Sequence, residues 1–406
     1  MAERLTPADA AQVLDCVRWA IAEETPLEIV GGGSKRALGR PTAGEHVLDL
    51  SGLSGVSLYE PDELVLTAGA GTPLVEIEGL LSQNRQQLAF EPADYGTLLG
   101  GAAGAQTLGG MIAANLSGPR RIKSGAARDH FLGIKAVSGR GDAVKSGGRV
   151  VKNVTGYDLC KLLAGSYGTL AAMTEITVKV LPAPEKTRTV LVFGLDATAA
   201  VTALSQAGGS PHEVSGLAHL PAAVAAASSV SYVADAGVSV TAVRVEGPGP
   251  SVDHRCRALR DELGGFGAVE ELHSQNSRTL WAEIRDVQPL LGDQDSNVWK
   301  LSLTPTAAPG IVGRVLGQVD GRALLDWAGG LVWLSLASAE DAHHTFVRDA
   351  LGGEGHATLI RAPAYVRWKV PVFQPQPPAL AALSRRVKES FDPQAILNRG
   401  RMFTES

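Results

Sequence analysis

Between Ile29 and Gly39 the chain reads Ile-Val-Gly-Gly-Gly-Ser-Lys-Arg-Ala-Leu-Gly, an apolar strand that breaks into consecutive glycines followed by a hydroxyl and two cations. Few folds tolerate such a segment. Gly31, Gly32 and Gly33 can take positive φ and let main-chain N–H groups converge on a phosphate with no Cβ in the way, while Ser34 and Lys35 add a donor and a charge. Two readings are open for it in isolation, a glycine-rich surface turn or an anion cradle.

At 406 residues the chain can bury more than one core, so two or three domains are expected. The formal net charge of -5, with no Lys/Arg run, argues against nucleic acid as a partner. Cys16, Cys160 and Cys256 are far apart and form no CxxC, which indicates neither a disulfide framework nor a locally encoded iron–sulfur or zinc site; a reducing cytoplasm fits. The N-terminus carries Glu3, Arg4 and Asp9 and lacks the apolar run of a secretory signal. Thr97 to Gly118 is poor in charge but holds six glycines with Gln106 and Asn115, and reads as a buried loop rather than a membrane span.

Hydrophobic periodicity predicts a helix opened by Thr6-Pro7, with Ala10, Val13, Leu14, Val17 and Ile21 on one face. Strands are expected at Leu27 to Val30, His46 to Leu50, Gly55 to Glu60 and Glu63 to Ala68, then a helix capped by Thr72-Pro73, and core strands at Phe131 to Val137 and Ile176 to Val180. Pro182, Pro184 and Glu185-Lys186 mark a domain boundary. Beyond it, strands at 189–193, 238–245, 297–303 and 330–336 interleave with helices at 197–206, 252–263 and 340–351, a spacing that suits two ferredoxin-like halves of one sheet. Pro375 to Pro378 then leads into a final helix with Leu380, Leu383 and Val387 on one face.

A second glycine-rich segment, Thr107-Leu108-Gly109-Gly110 continuing through Asn115 to Gly118, is made of small neutral residues suited to lying against a flat ligand. Two such turns could clamp a pyrophosphate from two sides. The alternative is a packed loop with no ligand. There is no GxGxxG and no GxxxxGK[ST], which argues against a Rossmann dinucleotide site and a nucleoside triphosphatase.

The ordered series Val30-Gly31-Gly32-Gly33-Ser34-Lys35, Tyr59-Glu60-Pro61-Asp62-Glu63-Leu64-Val65, Ala70-Gly71-Thr72-Pro73-Leu74 and Thr107-Leu108-Gly109-Gly110 resembles the vanillyl-alcohol-oxidase (PCMH-type) FAD-binding family. Gly118 to Gly125 with Arg128-Asp129, Lys152-Asn153-Val154-Thr155-Gly156-Tyr157-Asp158-Leu159, Gly165 to Leu170 and the closing Phe391-Asp392-Pro393 are similar to its glycolate-oxidase and D-lactate-dehydrogenase branch, most of all to the FAD-binding E-subunit family of bacterial glycolate oxidases. The resemblance implies an α+β architecture: a two-lobed PCMH-type FAD-binding domain over 1–184 (lobes 1–54 and 55–184), a ferredoxin-like α/β cap over 185–374, and a C-terminal helix, 375–406, returning to the FAD domain. It implies non-covalent FAD held by Gly31, Gly32, Gly33, Ser34 and Lys35, by Thr107, Leu108, Gly109, Gly110, Asn115, Gly118 and Gly125, and by the main chain of Ile176 and Thr177.

Members of the branch that oxidise D-2-hydroxy acids carry a Gly-His-x-Gly-Asp-Gly-Asn-x-His phrase whose histidines bind a divalent metal, and this chain has none. His343-His344 and His356 are expected as surface or turn residues, His130 as structural, and Arg361 and Arg367 as packing or solvated residues rather than substrate ligands. Tyr167 stands where the family usually has glutamate. No metal site and no catalytic residue is assigned. The resemblance implies an FAD-carrying oxidoreductase subunit working beside a catalytic flavoprotein subunit and an iron–sulfur subunit, cytoplasmic and reaching the membrane only through those partners. Two alternatives stay open: a self-sufficient FAD-dependent alcohol or hydroxy-acid oxidoreductase, and a structural subunit without functional flavin.

Overall fold

The computed structural model describes residues 3–42, 44, 46–149 and 156–404, so the phrase at Lys152 to Thr155 lies outside the described residues. The chain divides into two compact units, Met1–Leu116 with Gly125–Ala183 and Pro371–Ser406, and Ser117–Ser124 with Pro184–Val370. Residues 117–124, expected in the first domain, therefore belong to the second unit, which ends at Val370 rather than at 374.

In the first unit, β1 (Glu3–Leu5), β2 (Leu27–Val30) and β3 (His46–Asp49) form a parallel sheet of order β1-β3-β2. A second, antiparallel sheet of order β4-β5-β9-β7-β8 contains β4 (Val56–Glu60), β5 (Val65–Gly69), β7 (Phe131–Ser138), β8 (Ala143–Gly147) and β9 (Ala171–Lys179), while β6 (Gln86–Gln87) pairs with β10 (Leu181–Pro182). The helix Ala10–Ala22 buries Val13, Val17 and Ala20. They pack in one core with Leu27, Leu48, Val137, Ala172 and the distant Ile396 and Leu397. Its cap is Asp9, whose side chain accepts from the Gln12 N–H at 2.8 Å, and not Thr6. Thr72 likewise does not cap the helix Leu74–Gln83; its hydroxyl donates to the Gly69 carbonyl at 2.7 Å instead. The stretch expected as a loop from Thr97 contains the helix Leu108–Ala114. On the final helix, Pro378–Phe391, Leu380 and Leu383 are exposed, and the buried residue is Lys388.

The second unit is built on one antiparallel sheet of order β14-β11-β13-β12-β16-β17-β15-β18. Its strands are β11 (Lys186–Phe193), β12 (Gly216–Leu220), β13 (Val240–Gly247), β14 (Val269–Leu272), β15 (Asn297–Leu303), β16 (Gly321–Asp326), β17 (Leu331–Leu336) and β18 (Gly355–Arg361). Each half runs strand, helix, two strands, helix, strand, with spatial order 4-1-3-2 in the first and its mirror in the second, so both are ferredoxin-like. The halves join where His219 on β12 pairs with Leu325 on β16. Helices Ala197–Gly209 and Gly249–Leu263 cover the first half with Leu204, Val252, Cys256 and Leu259 packed on Val190, Val192 and Val243.

Candidate functional site

β2 ends at Val30 because Gly31 to Gly33 leave the sheet, and the chain turns twice, through Arg36 N–H to Gly33 carbonyl (3.2 Å) and Leu38 N–H to Lys35 carbonyl (3.0 Å). Among the described residues no intramolecular acceptor serves the N–H groups of Gly32, Gly33, Ser34 and Lys35. Four successive main-chain donors of this loop are therefore open, the arrangement an anion-binding nest needs. A Cβ on Gly32 would stand 1.9 Å from the Ala105 carbonyl oxygen, and one on Gly31 2.5 Å from Thr107 Oγ1, so the first glycine segment lies against main chain at Ala105 and against the side chain of Thr107. Only Gly33 of the three needs glycine for its conformation, at φ +73°.

Lys35 Nζ donates to Gln106 Oε1 at 3.2 Å and approaches Ser34 Oγ at 3.4 Å, both neutral partners. Burial pushes its pKa down to about 8, against the opposing pull of Asp94. Arg36, by contrast, is spent on Glu28, through Nε to Oε1 at 3.1 Å and a second, shorter contact. Among the described residues of this loop, Lys35 is the cation that makes no ion pair.

The second segment is pinned from behind. Leu108 N–H donates to the Thr72 carbonyl (2.9 Å) and Gly109 N–H to the Ala70 carbonyl (2.8 Å), and a Cβ on Gly109 would meet Ala70 at 2.9 Å. Thr107 Oγ1 accepts from Gly110 N–H at 3.3 Å. The cleft between the segments is lined by Gly31 to Lys35, Thr107, Gly109 and Gly110, together with Val30, Ala113, Tyr167, Asn398 and Arg401.

The remaining expected residues stand elsewhere. Leu108 is buried beneath the segment. Asn115 ends its helix in the left-handed conformation (φ +49°), and its Oδ1 accepts from Arg128 N–H at 3.0 Å, a structural role. Gly118 belongs to the second unit, and Gly125 (φ +83°) turns beside Asp129, whose carboxylate accepts from Ala126 N–H. Ile176 is buried in the middle of β9, and the Thr177 hydroxyl pairs with that of Thr67 at 2.9 Å. As the structure stands, none of these lines the cleft.

Three lining residues escape local sequence reasoning. Asn398 Oδ1 accepts from Ile29 N–H at 2.8 Å and its Nδ2 donates to the Tyr167 carbonyl at 2.7 Å, sewing the C-terminal segment to β2 and to the 165–170 turn. Arg401 donates to the carbonyls of Arg36 (2.8 Å) and Leu38 (3.1 Å) and to Glu28 (3.1 Å), which closes the cradle loop from below. Tyr167 sits at φ +54° with its ring edge-on to Phe373, 5.0 Å between centroids, and burial pushes its phenol up to about 12 despite Arg401. Their only sequence signals are the closing Phe391-Asp392-Pro393 phrase just before Asn398 and the tyrosine at 167, neither of which announces a partner far away in the chain.

No histidine or cysteine lines the cleft, and His130 is buried against Phe90. Arg361 donates to the carbonyls of Ser296 and Asp293, and Arg367 to the Ala362 carbonyl, so both serve packing. Among the described residues no group of His, Cys, Asp and Glu could hold a metal ion. His343 bonds the Ala337 carbonyl and His356 is exposed on β18.

Comparison with known proteins finds relatives along most of the chain. The FAD binding domain family matches residues 2–147. The chain is 35% identical to the glycolate oxidase subunit GlcE of Escherichia coli (strain K12), covering 97% of both chains. It is 30% identical to the glycolate oxidase subunit GlcD of Bacillus subtilis over 48% of this chain and 40% of that protein, and 32% identical to the D-lactate dehydrogenase of Archaeoglobus fulgidus over 43% and 38%. Among solved structures, 4-ethylphenol oxidase from Gulosibacter chungangensis superposes with a TM-score of 0.73 at 14% identity, over 99% of this chain and 89% of that one, and an alkyldihydroxyacetonephosphate synthase with 0.67 at 18%, over 97% and 75%. The chain belongs to the family of the glycolate oxidase subunit GlcE, FAD-binding oxidoreductases of the PCMH-type fold.

Proposed function

We propose that this chain is the FAD-binding subunit of a multi-subunit glycolate (2-hydroxy acid) oxidase, holding FAD non-covalently and relaying electrons beside a catalytic flavoprotein subunit and an iron–sulfur subunit. The observation that carries the reading is the likeness to GlcE along almost the whole of both chains, joined to a cradle whose main-chain donors are open. The N–H groups of Gly32 to Lys35 and the Lys35 ammonium would take the pyrophosphate, and the apolar wall of Val30, Ala113 and Tyr167 would pack on the flat parts of the ligand. FAD, when bound, supplies a centre that takes up and passes on electrons. The residues around it orient it, neutralise its phosphates and keep water from them. Among the described residues no metal-donor group stands ready to polarise a 2-hydroxy acid, which favours a division of labour with a separate catalytic subunit. No helix of the described residues is long and apolar enough to cross a membrane, so contact with the membrane would come through the partners.

Lys35 makes the flavin affinity pH-dependent. An anion binds the protonated ammonium and so raises its pKa; the contribution is complete below about 8 and is lost as the pH rises through that value toward the higher pKa of the complex. The FAD dissociation constant is expected to be flat on the acid side and to rise toward tenfold per pH unit on the alkaline side, as one linked proton requires. Fluorescence titration of the apoprotein checks this. Lys35→Met should bind FAD about tenfold or more weakly at neutral pH, with the slope gone.

The functional reading is tested by the visible spectrum of the chain purified alone, followed by anaerobic glycolate and D-lactate. Flavin that dissociates on denaturation and stays oxidised supports the subunit, and co-expression with a metal-bearing flavoprotein and a cysteine-rich partner should then restore reduction. Bleaching of the lone chain would make it a self-sufficient oxidoreductase.

A further inference from the structure

One face of the sheet in the second unit carries two cations, Arg121 and Lys300, side by side with indole rings. Along β15, Trp299 points to the helix His344–Leu351, with its Nε1 donating to the Ala342 carbonyl and Arg348 over its ring. By alternation Lys300 points to the opposite face, where the register sets it across from Trp333 on β17 and Thr358 on β18, and Ser302 across from His356. Lys300 Nζ lies 5.6 Å from the centroid of the Trp327 ring and 5.7 Å from that of Trp333, and the Arg121 guanidinium lies 4.5 Å from Trp327.

Neither cation makes a hydrogen bond or an ion pair among the described residues. The contrast with the adjacent Arg120 is direct: its guanidinium grips Glu246 with two bonds of 2.8 and 2.9 Å, backed by Arg244, and despite burial the two arginines hold that carboxyl well below the usual range. The carboxylate near Lys300 is Asp326, and it accepts from the Trp327 N–H at 2.7 Å. With Arg121 and Lys300 positive and Asp326 negative, the face stays net positive, and His356 feels both cations.

The backbone that presents Trp327 is strained. Trp327 and Ala328 sit at φ +51° and +59°, followed by Gly329 at +98°, a left-handed region that non-glycine residues rarely adopt. The turn is held by the Asp326 bond, by Gly330 N–H to the Trp327 carbonyl at 3.0 Å, and by the indole Nε1 donating to the Gly118 carbonyl at 3.3 Å.

We propose that Arg121, Lys300, Trp327 and Trp333 form a binding site for a small organic carboxylate, with Lys300 Nζ and the Arg121 guanidinium as its counter-charges and the indoles as its walls. A short ligand fits because two open cations cannot carry a polyanion on a chain of net charge -5. The choice of the 2-hydroxy or 2-oxo acid class among carboxylates rests on the function proposed above; the site itself does not.

The full-length chain is purified alone and its tryptophan fluorescence is titrated, at constant ionic strength, with glycolate, glyoxylate, acetate and inorganic phosphate. A saturable change with glycolate or glyoxylate is expected, weakened about tenfold or more in Lys300→Met and in Arg121→Gln, and kept within a few-fold in Lys300→Arg. Arg121 is exposed, so its variant carries the test if Lys300→Met does not fold. Absence of saturation with every anion, an equal response to inorganic phosphate, or unchanged affinity in a folded variant overturns the site. Saturation by acetate as tight as by glycolate overturns the assigned ligand class. The titration needs neither partner subunits nor flavin turnover, so its failure is distinct from failure of the subunit reading.

Discussion

Gly32→Ala is expected to yield a folded but colourless protein, with FAD affinity lowered by about 10- to 100-fold or more. Gly32 is exposed and its φ is ordinary, so the new methyl disturbs no core and strains no turn. It would, however, have to occupy a point 1.9 Å from the Ala105 carbonyl oxygen, a main-chain atom that no rotamer change can move aside. The cradle loop and the Gln106–Thr107 strap must separate, and both the open N–H groups and the Lys35 to Gln106 bond are displaced together. Overpacking of this kind costs about 1–3 kcal/mol, and here the cost falls on the geometry the ligand needs. Gly79→Ala is the control, since its Cβ meets nothing within 4 Å on an exposed helix face, and it should keep its colour and stability. Flavin content by absorbance and thermal unfolding, measured on both variants, check the pair. Full retention of FAD by Gly32→Ala would show that the cleft does not hold the pyrophosphate.

The largest loss of stability is expected from Asp392→Ala. Lys388 and Asp392 form a buried pair at 2.7 Å, with side-chain exposures of 8% and 0%, one helical turn apart at the end of the final helix. The ammonium also donates to the carbonyls of Thr169 (2.7 Å) and Leu397 (3.1 Å), and the carboxylate accepts from the N–H groups of Ile396 (3.0 Å) and Leu397 (2.8 Å). Removing the acid leaves a buried charge with only carbonyl partners, at a cost of about 3–5 kcal/mol. The same change frees the segment that places Asn398 and Arg401 in the cleft, so flavin affinity should fall with stability. Denaturant unfolding with a flavin signal follows both. The double variant Lys388→Met with Asp392→Leu should recover much of the stability, because an apolar pair of similar size carries no desolvation penalty. A single variant as stable as the parent would mean the pair is dispensable.

Much of the candidate site was legible because the features that mark it belong to the main chain. A run such as Gly31-Gly32-Gly33-Ser34-Lys35 can be read in isolation, since the lack of side chains is itself the message. The residues that failed to reach the cleft show the limit. Asn115 and Gly125 carry left-handed conformations, which a sequence reader cannot tell from ligand contact, and here those conformations end a helix and turn a loop. Ile176 and Thr177 were expected to offer main chain, and on β9 that main chain is paired with β5 on one side and β7 on the other.

The fold followed a similar division. Strands with strong alternation were visible, whereas β12, β14, β16 and β18 were not. β12 reads Gly-Leu-Ala-His-Leu and is buried along its whole length, so it shows no period of two. β14 and β16 carry charge at an edge and at a strand entry, which masks them. The ferredoxin-like order of each half could be anticipated from the spacing of elements, but the single bridge from His219 to Leu325 that joins the halves could not.

What the sequence determined by itself is the open, glycine-rich character of the 31–35 loop and the family of folds that presents it, because glycine runs, hydroxyls and caps act over a few residues. What only the tertiary structure decided is which distant groups complete it. Asn398, Arg401 and Tyr167 are brought to β2 by a C-terminal segment anchored on Lys388 and Asp392, and Lys300 and Arg121 are left open while Arg120 is consumed by Glu246. Pairing of that kind depends on contacts between residues far apart in the chain, and the free energy of a buried charge is set by whoever stands beside it after folding.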